Sequence, residues 1–89
     1  MAKSLSQQKK EIRSHIGAIK QAAIRIDLPT PVFTLYEDKL KKVNSSKDLA
    51  SWYYAFSKRI NAMISQDHRE ATLMRNSLNS MRSIIGLDR

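Results

Sequence analysis

The sequence predicts an all-α fold, a small three- or four-helix bundle with a long C-terminal helical segment, and three observations predict it. Apolar residues recur at gaps of 3, 4 and 7 along most of the chain, the spacing of one helix face packed against another helix. Glycine and proline number only two each in 89 residues, whereas a β-sandwich or barrel needs turn residues every ten positions or so. Apolar residues make up 42% of the chain, too many for a disordered segment even at a formal charge of +8. A chain this short forms one domain, residues 1–89, and buries roughly 60–65% of its unfolded surface, so its core is thin.

The first helix is expected over residues 4–26. Leu5, Ile12, Ile16, Ile19, Ala23 and Ile26 fall on one line, interrupted only by Lys9, whose long stem can lie along apolar surface. Asp27-Leu28-Pro29-Thr30-Pro31 is expected to end it, because proline lacks the amide donor and clashes one turn back. The same segment opens a second helix over residues 31–43, with Thr30 as N-cap and Pro31 in the first turn. Phe33, Tyr36, Leu40 and Val43 give it one apolar face, and Lys39, Lys41 and Lys42 near its end suit the helix dipole. Asn44-Ser45-Ser46 breaks the pattern, and Ser45 followed by Asp48 resembles a capping arrangement.

From Lys47 onward no proline interrupts the helical signal. Leu49, Tyr53, Phe56, Ile60 and Ile64 form one apolar line; Ala71, Met74, Leu78, Met81 and Ile85 continue it. The extra gap of 4 at Ile60–Ile64 is a stutter, which either changes the supercoil or marks a break. One helix over residues 47–85 would be about 58 Å long, while a compact chain of this length has a radius of gyration near 12 Å. Either the helix breaks near Ser65–Asp67, with a fresh N-cap at Asp67, or a second chain covers the rod. The break is the favoured reading, giving helices over 47–64 and 66–85, and a homodimer is expected in either case. Gly86 is the expected C-cap.

Several function classes drop out on residue types alone. The absence of cysteine excludes a disulfide framework, a thiol nucleophile and a Cys-based zinc site. Gly17 and Gly86 are the only glycines, which cannot build a phosphate-cradling loop. The two histidines, His15 and His68, stand on different helices and lack metal-ligand spacing. His68 lies with Asp67 and Glu70 beside Ser65, but acids in a first helical turn are there to stabilise that turn. The expectation is a protein that is not an enzyme and uses no cofactor or metal. No run of about 18 apolar residues exists, so no membrane span is expected, and no signal peptide is evident. Residues 1–26, basic and amphipathic, would also suit a presequence or a membrane-surface helix, but their narrow apolar stripe fits helix packing better, and a cytoplasmic location is expected.

The charge is unevenly spread. Residues 1–26 carry six basic side chains against Glu11, residues 27–56 balance, and residues 57–89 carry six against three acids. If the first and last helices pack side by side, these excesses are expected to merge into one basic surface. On the first helix Lys10, Arg13 and Lys20 share a solvent stripe with Gly17; on the last, Thr72, Arg75, Asn79 and Arg82 share another, with no acid between Glu70 and Asp88. Arg and Asn have the forked geometry that reads base edges, and an acid-free cationic face can approach a polyanion.

These features predict a small basic nucleic-acid-binding protein, a regulator or accessory factor with double-stranded DNA as the expected partner. Arg75, Asn79 and Arg82 would face the DNA, and Lys10, Arg13, Lys20, Lys39, Lys41, Lys42 and Arg69 would add phosphate contacts. A helix-turn-helix pattern is not visible. The alternative is an adaptor or inhibitor that docks on an acidic protein such as a nucleic-acid enzyme. Trp52 and Tyr54, which cannot both share the core face, would then anchor the interface together with the Met-bearing stripe.

Overall fold

A computed structural model describes residues 4–64 and 69–87 of the chain. Four helices follow in order, α1 (Leu5–Arg25), α2 (Pro31–Lys41), α3 (Ser46–Met63) and α4 (Arg69–Ile85), and no strand occurs among the described residues. Its radius of gyration is 12.6 Å, close to the value that chain length alone gives.

α1 begins where Ser4 caps it, its hydroxyl accepting from the Gln7 amide at 3.2 Å. It ends by a mechanism different from the one expected. Asp27 adopts a left-handed φ of 58°, the Leu28 amide donates to the Ala23 carbonyl at 2.9 Å, and the Asp27 amide donates to Ile24. This is a Schellman stop, with a short polar side chain in the place usually held by glycine. Pro29 and Pro31 therefore follow the stop rather than make it.

Thr30 does stand at the N-cap of α2, with Pro31 in the first turn, but its hydroxyl makes no capping bond, and its backbone is helical rather than extended. α2 ends at Lys41, two residues before the expected end. Lys42 and Val43 close the last turn through three-residue hydrogen bonds to Lys39 and Leu40, which keeps Val43 in the core. Ser45 caps α3 as expected, its hydroxyl accepting from the Asp48 amide at 3.1 Å. α3 stops at Met63 with Ile64 as its cap, so the Ile60–Ile64 stutter marks a break. The expected N-cap at Asp67, with Ser65 and His68, lies outside the described residues. At the far end Gly86, at φ 87°, forms a second Schellman stop with Leu87 donating to Arg82.

The break folds the long apolar stripe back on itself, so both halves bury within one chain. That removes the reason the sequence offered for a second chain covering a rod. α1 and α4 run antiparallel along their length. Gln8 donates to the Ile84 carbonyl at one end; at the other, Arg25 grips Glu70 bidentately at 3.0 and 3.1 Å. Ile12, Ile16, Ile19, Ala22 and Ala23 pack there with Ala71, Met74, Leu78 and Met81. Each fully buried Ile or Met contributes about 1.5–3 kcal/mol.

α2 and α3 join through aromatic rings. Trp52 stacks on Phe56 at 5.1 Å, and both meet Tyr36, while Phe33 meets Phe56 edge to face. The Trp52 indole donates to the Tyr36 carbonyl at 2.9 Å. No polar or charged residue is buried among those described. No helix among the described residues is long and apolar enough to cross a membrane.

Candidate functional site

The local periodicity of α4 places Arg75, Asn79 and Arg82 on one side of that helix, at i, i+4 and i+7. All three are exposed, and all three line one wall of a cleft of about 210 Å³ between α4 and α3. The opposite wall is built by Ser57 and Asn61, one turn apart, the Asn61 amide donating to the Ser57 hydroxyl at 3.3 Å. Tyr53 and Leu78 form the floor, tied together by the Tyr53 hydroxyl donating to the Leu78 carbonyl at 3.0 Å. That buried bond fixes the spacing of the two walls. Among the described residues, no carboxylate lines the cleft.

Chemically, two guanidiniums, two carboxamides and a hydroxyl converge on one groove, a set that matches phosphate oxygens and the polar edges of bases. Arg75 stands in mid-helix, where the dipole gives no reason for a cation; Arg82 lies in the last turn, where it also complements the dipole. Thr72, placed on this stripe by spacing, is exposed but outside the cleft lining.

The remaining basic candidates lie elsewhere. α1 and α4 do pack side by side, yet their basic stripes do not merge. α4 sits on the Gln8 side of α1, whereas Arg13 and Lys20 continue the Lys9 side, the one that faces α2. Lys9 itself donates to the Val43 carbonyl at 2.8 Å and the Lys41 carbonyl at 3.2 Å, closing the end of α2. Lys10, Arg13, Lys41 and Lys42 therefore belong to a second basic edge, between α1 and α2, with Lys20 further along it; all but half-buried Lys20 are exposed. Lys39 lies over the Tyr36 ring at 5.2 Å, and Lys41 pairs with Asp38 at 3.8 Å. Arg69 opens α4 on a different face from Arg75, six residues away and about 120° around the helix, and is not part of the cleft.

Of the two expected interface aromatics, only Tyr54 reaches the surface, 55% exposed, beside Tyr53 with ring centroids 6.0 Å apart. Trp52 is 6% exposed and belongs to the core. The Met-bearing stripe is core as well, Met74 and Met81 being fully buried. Sequence reasoning did not single out Ser57 and Asn61. Their spacing of 4 puts them on one face, but nothing local says that α4 lies opposite.

No family model, no curated protein and no solved structure matches this chain. The cleft's own residues are therefore the ground for a functional reading.

Proposed function

We propose that this chain is a small, basic, non-enzymatic nucleic-acid-binding protein of the cytoplasm, a DNA regulator or accessory factor. The observation that carries the reading is the cleft in which Arg75, Asn79 and Arg82 of α4 face Ser57 and Asn61 of α3, with no acid among the described lining residues. Cations and amides held around a groove without a carboxylate suit a phosphodiester chain and repel little that is anionic. Lys10, Arg13, Lys41 and Lys42 on the α1–α2 edge add long-range attraction and, where the nucleic acid wraps that far, phosphate contacts.

Docking on an acidic protein is the alternative, and one observation favours it: Tyr54 is a large exposed aromatic beside the cationic cleft, as an interface anchor would be. With Trp52 and the methionines in the core, Tyr54 is the one anchor left to that reading among those expected.

Fluorescence anisotropy with labelled DNA, offered both as duplex and as single strand across about 50–200 mM salt, tests the proposal. Affinity is expected to fall by orders of magnitude over that range, with a log–log slope of roughly 0.7–0.9 per phosphate neutralised. Arg75→Ala combined with Arg82→Ala is expected to weaken binding and to flatten the slope by about 2. Absence of binding to either form at the low-salt end overturns the reading and leaves the acidic-protein alternative.

A further inference from the structure

The exposed Tyr54 has no part in the core, and its neighbours define what it can meet. It precedes Ser57 by three residues and Asn61 by seven, so the three share a side of α3, and the neighbouring Tyr53 ring, 6.0 Å away, forms the cleft floor. Lys47 and Lys58 lie on the same side by helix phase and are exposed, and the only acid of α3, Asp48, lies on the other side. Tyr54 therefore adds one exposed aromatic ring beside a cleft whose cations, Arg75 and Arg82, stand on the α4 wall.

We propose, resting on the nucleic-acid reading above, that the α3–α4 cleft takes single-stranded rather than duplex nucleic acid, with an unpaired base stacked on Tyr54 and the backbone held by Arg75 and Arg82. The argument is one of shape and of ring faces. In a duplex the base faces are stacked on one another, so a surface tyrosine finds only sugar and phosphate. In a single strand the faces are free, and every base has one to offer. A duplex major groove is read by a convex element that enters it, but the arginines and asparagines here line a concave groove between two helices. Arg75 and Arg82 stand about 10 Å apart along α4, so a strand laid in the groove meets a cation at each end of it. The carboxamides of Asn61 and Asn79, from opposite walls, face the polar edges of bases that a duplex would have paired.

Two oligonucleotides decide it: an oligothymidylate of about 12 nucleotides, inside the site size of single-strand binders, and a duplex of the same length. Both are titrated at one salt concentration into the wild-type protein, Tyr54→Ala and Tyr54→Phe. The expected result is a preference of about ten-fold or more for the single strand. Tyr54→Ala should lose about ten-fold in single-strand affinity, the scale of one lost stacking contact. Tyr54→Phe should keep it, and duplex affinity should be the same in all three. Because Tyr54 is exposed, all variants should keep the helical circular dichroism of the wild type. Equal or tighter duplex binding, or an unchanged single-strand affinity in Tyr54→Ala, overturns the single-strand assignment while the nucleic-acid reading stands. Failure of the wild type to bind either oligonucleotide even at about 50 mM salt overturns both.

Discussion

The bundle has two basic edges, and they use their charge differently. On the α1–α2 edge much of the cationic charge is engaged by the fold. Lys9 donates to two carbonyls at the end of α2, Lys39 lies over the Tyr36 ring, and Lys41 pairs with Asp38. Lys39, Lys41 and Lys42 also crowd a helix C-terminus, where the dipole favours positive charge. On the α3–α4 edge, Arg75 sits in mid-helix with no carboxylate across the cleft among the described residues, and the Asn61 carboxamide and the Ser57 hydroxyl stand opposite it. By number of lysines and arginines the α1–α2 edge is the richer of the two. What sets the α3–α4 cleft apart is the company its arginines keep, carboxamides and hydroxyls rather than carboxylates among the described lining residues, which is the ground of the reading proposed above.

The largest effect expected anywhere in the molecule removes both edges at once. Phe56 is fully buried and contacts the rings of Phe33, Tyr36 and Trp52, so it joins α2 to α3. Phe56→Ala should cost about 3–5 kcal/mol by chemical denaturation, and for a domain of this size such a loss approaches the whole stability. A loss below about 1 kcal/mol would mean that the aromatic layer is not the joint described. Next comes the contrast between the edges. Arg75→Ala with Arg82→Ala should weaken DNA binding by about 10- to 100-fold, on the scale of two lost charged contacts. Lys41→Ala with Lys42→Ala, equal in charge removed, should weaken it several-fold at most. Equal effects from the two pairs in the same anisotropy titration would mean that only net charge matters and that the cleft is not the site.

Lys9→Met sharpens the same contrast from the other side. The methionine keeps the apolar stem but leaves the Lys41 and Val43 carbonyls without their donor. A cation closing a helix C-terminus is worth about 1 kcal/mol, so the midpoint of thermal unfolding should drop by roughly 4–8 °C. DNA affinity should move little. A stable variant with strongly reduced binding would put Lys9 at the nucleic acid rather than at the helix end.

What could be read from the sequence was what is local to one helix. The apolar lines through Ile12–Ile16–Ile19, Phe33–Tyr36–Leu40, Leu49–Tyr53–Phe56–Ile60 and Met74–Leu78–Met81 all lie in the core, because a 3.6-residue period fixes which residues share a face. Arg75, Asn79 and Arg82 were legible for the same reason. Trp52 was partly legible: it stands three residues after Leu49 and four before Phe56, which widens the core stripe of α3 beyond a single line. The cleft's other wall was not legible, since the pairing of Ser57 and Asn61 with α4 depends on bundle order rather than on spacing. The expected merger of the α1 and α4 stripes failed for the same cause. Two helices can be neighbours while their charged faces look in opposite directions, and helix phase relative to a neighbour is a tertiary fact. The stop at Asp27 was missed because proline nearby offered a simpler explanation, although aspartate is one of the few residues that tolerates a left-handed backbone.

The smallest effect expected separates the two edges most cleanly. Gly17 lies in the middle of α1, exposed, among the stripe of Lys10, Arg13 and Lys20, and a Cβ added there meets nothing within 4 Å. In a helix interior glycine is less favourable than alanine by about 0.5–1 kcal/mol, because it has more backbone freedom to lose. Gly17→Ala should therefore stabilise the protein by about that amount, raising the unfolding midpoint by a few degrees. Glycine on a charged helix face has a second physical use, which is to let a ligand's backbone approach closely. If the nucleic acid lay on α1, the added methyl would stand in the contact and weaken binding even as it stabilised the fold. If the α3–α4 cleft is the site, Gly17→Ala changes stability alone, and one variant measured by both thermal unfolding and anisotropy tells the edges apart without removing any charge.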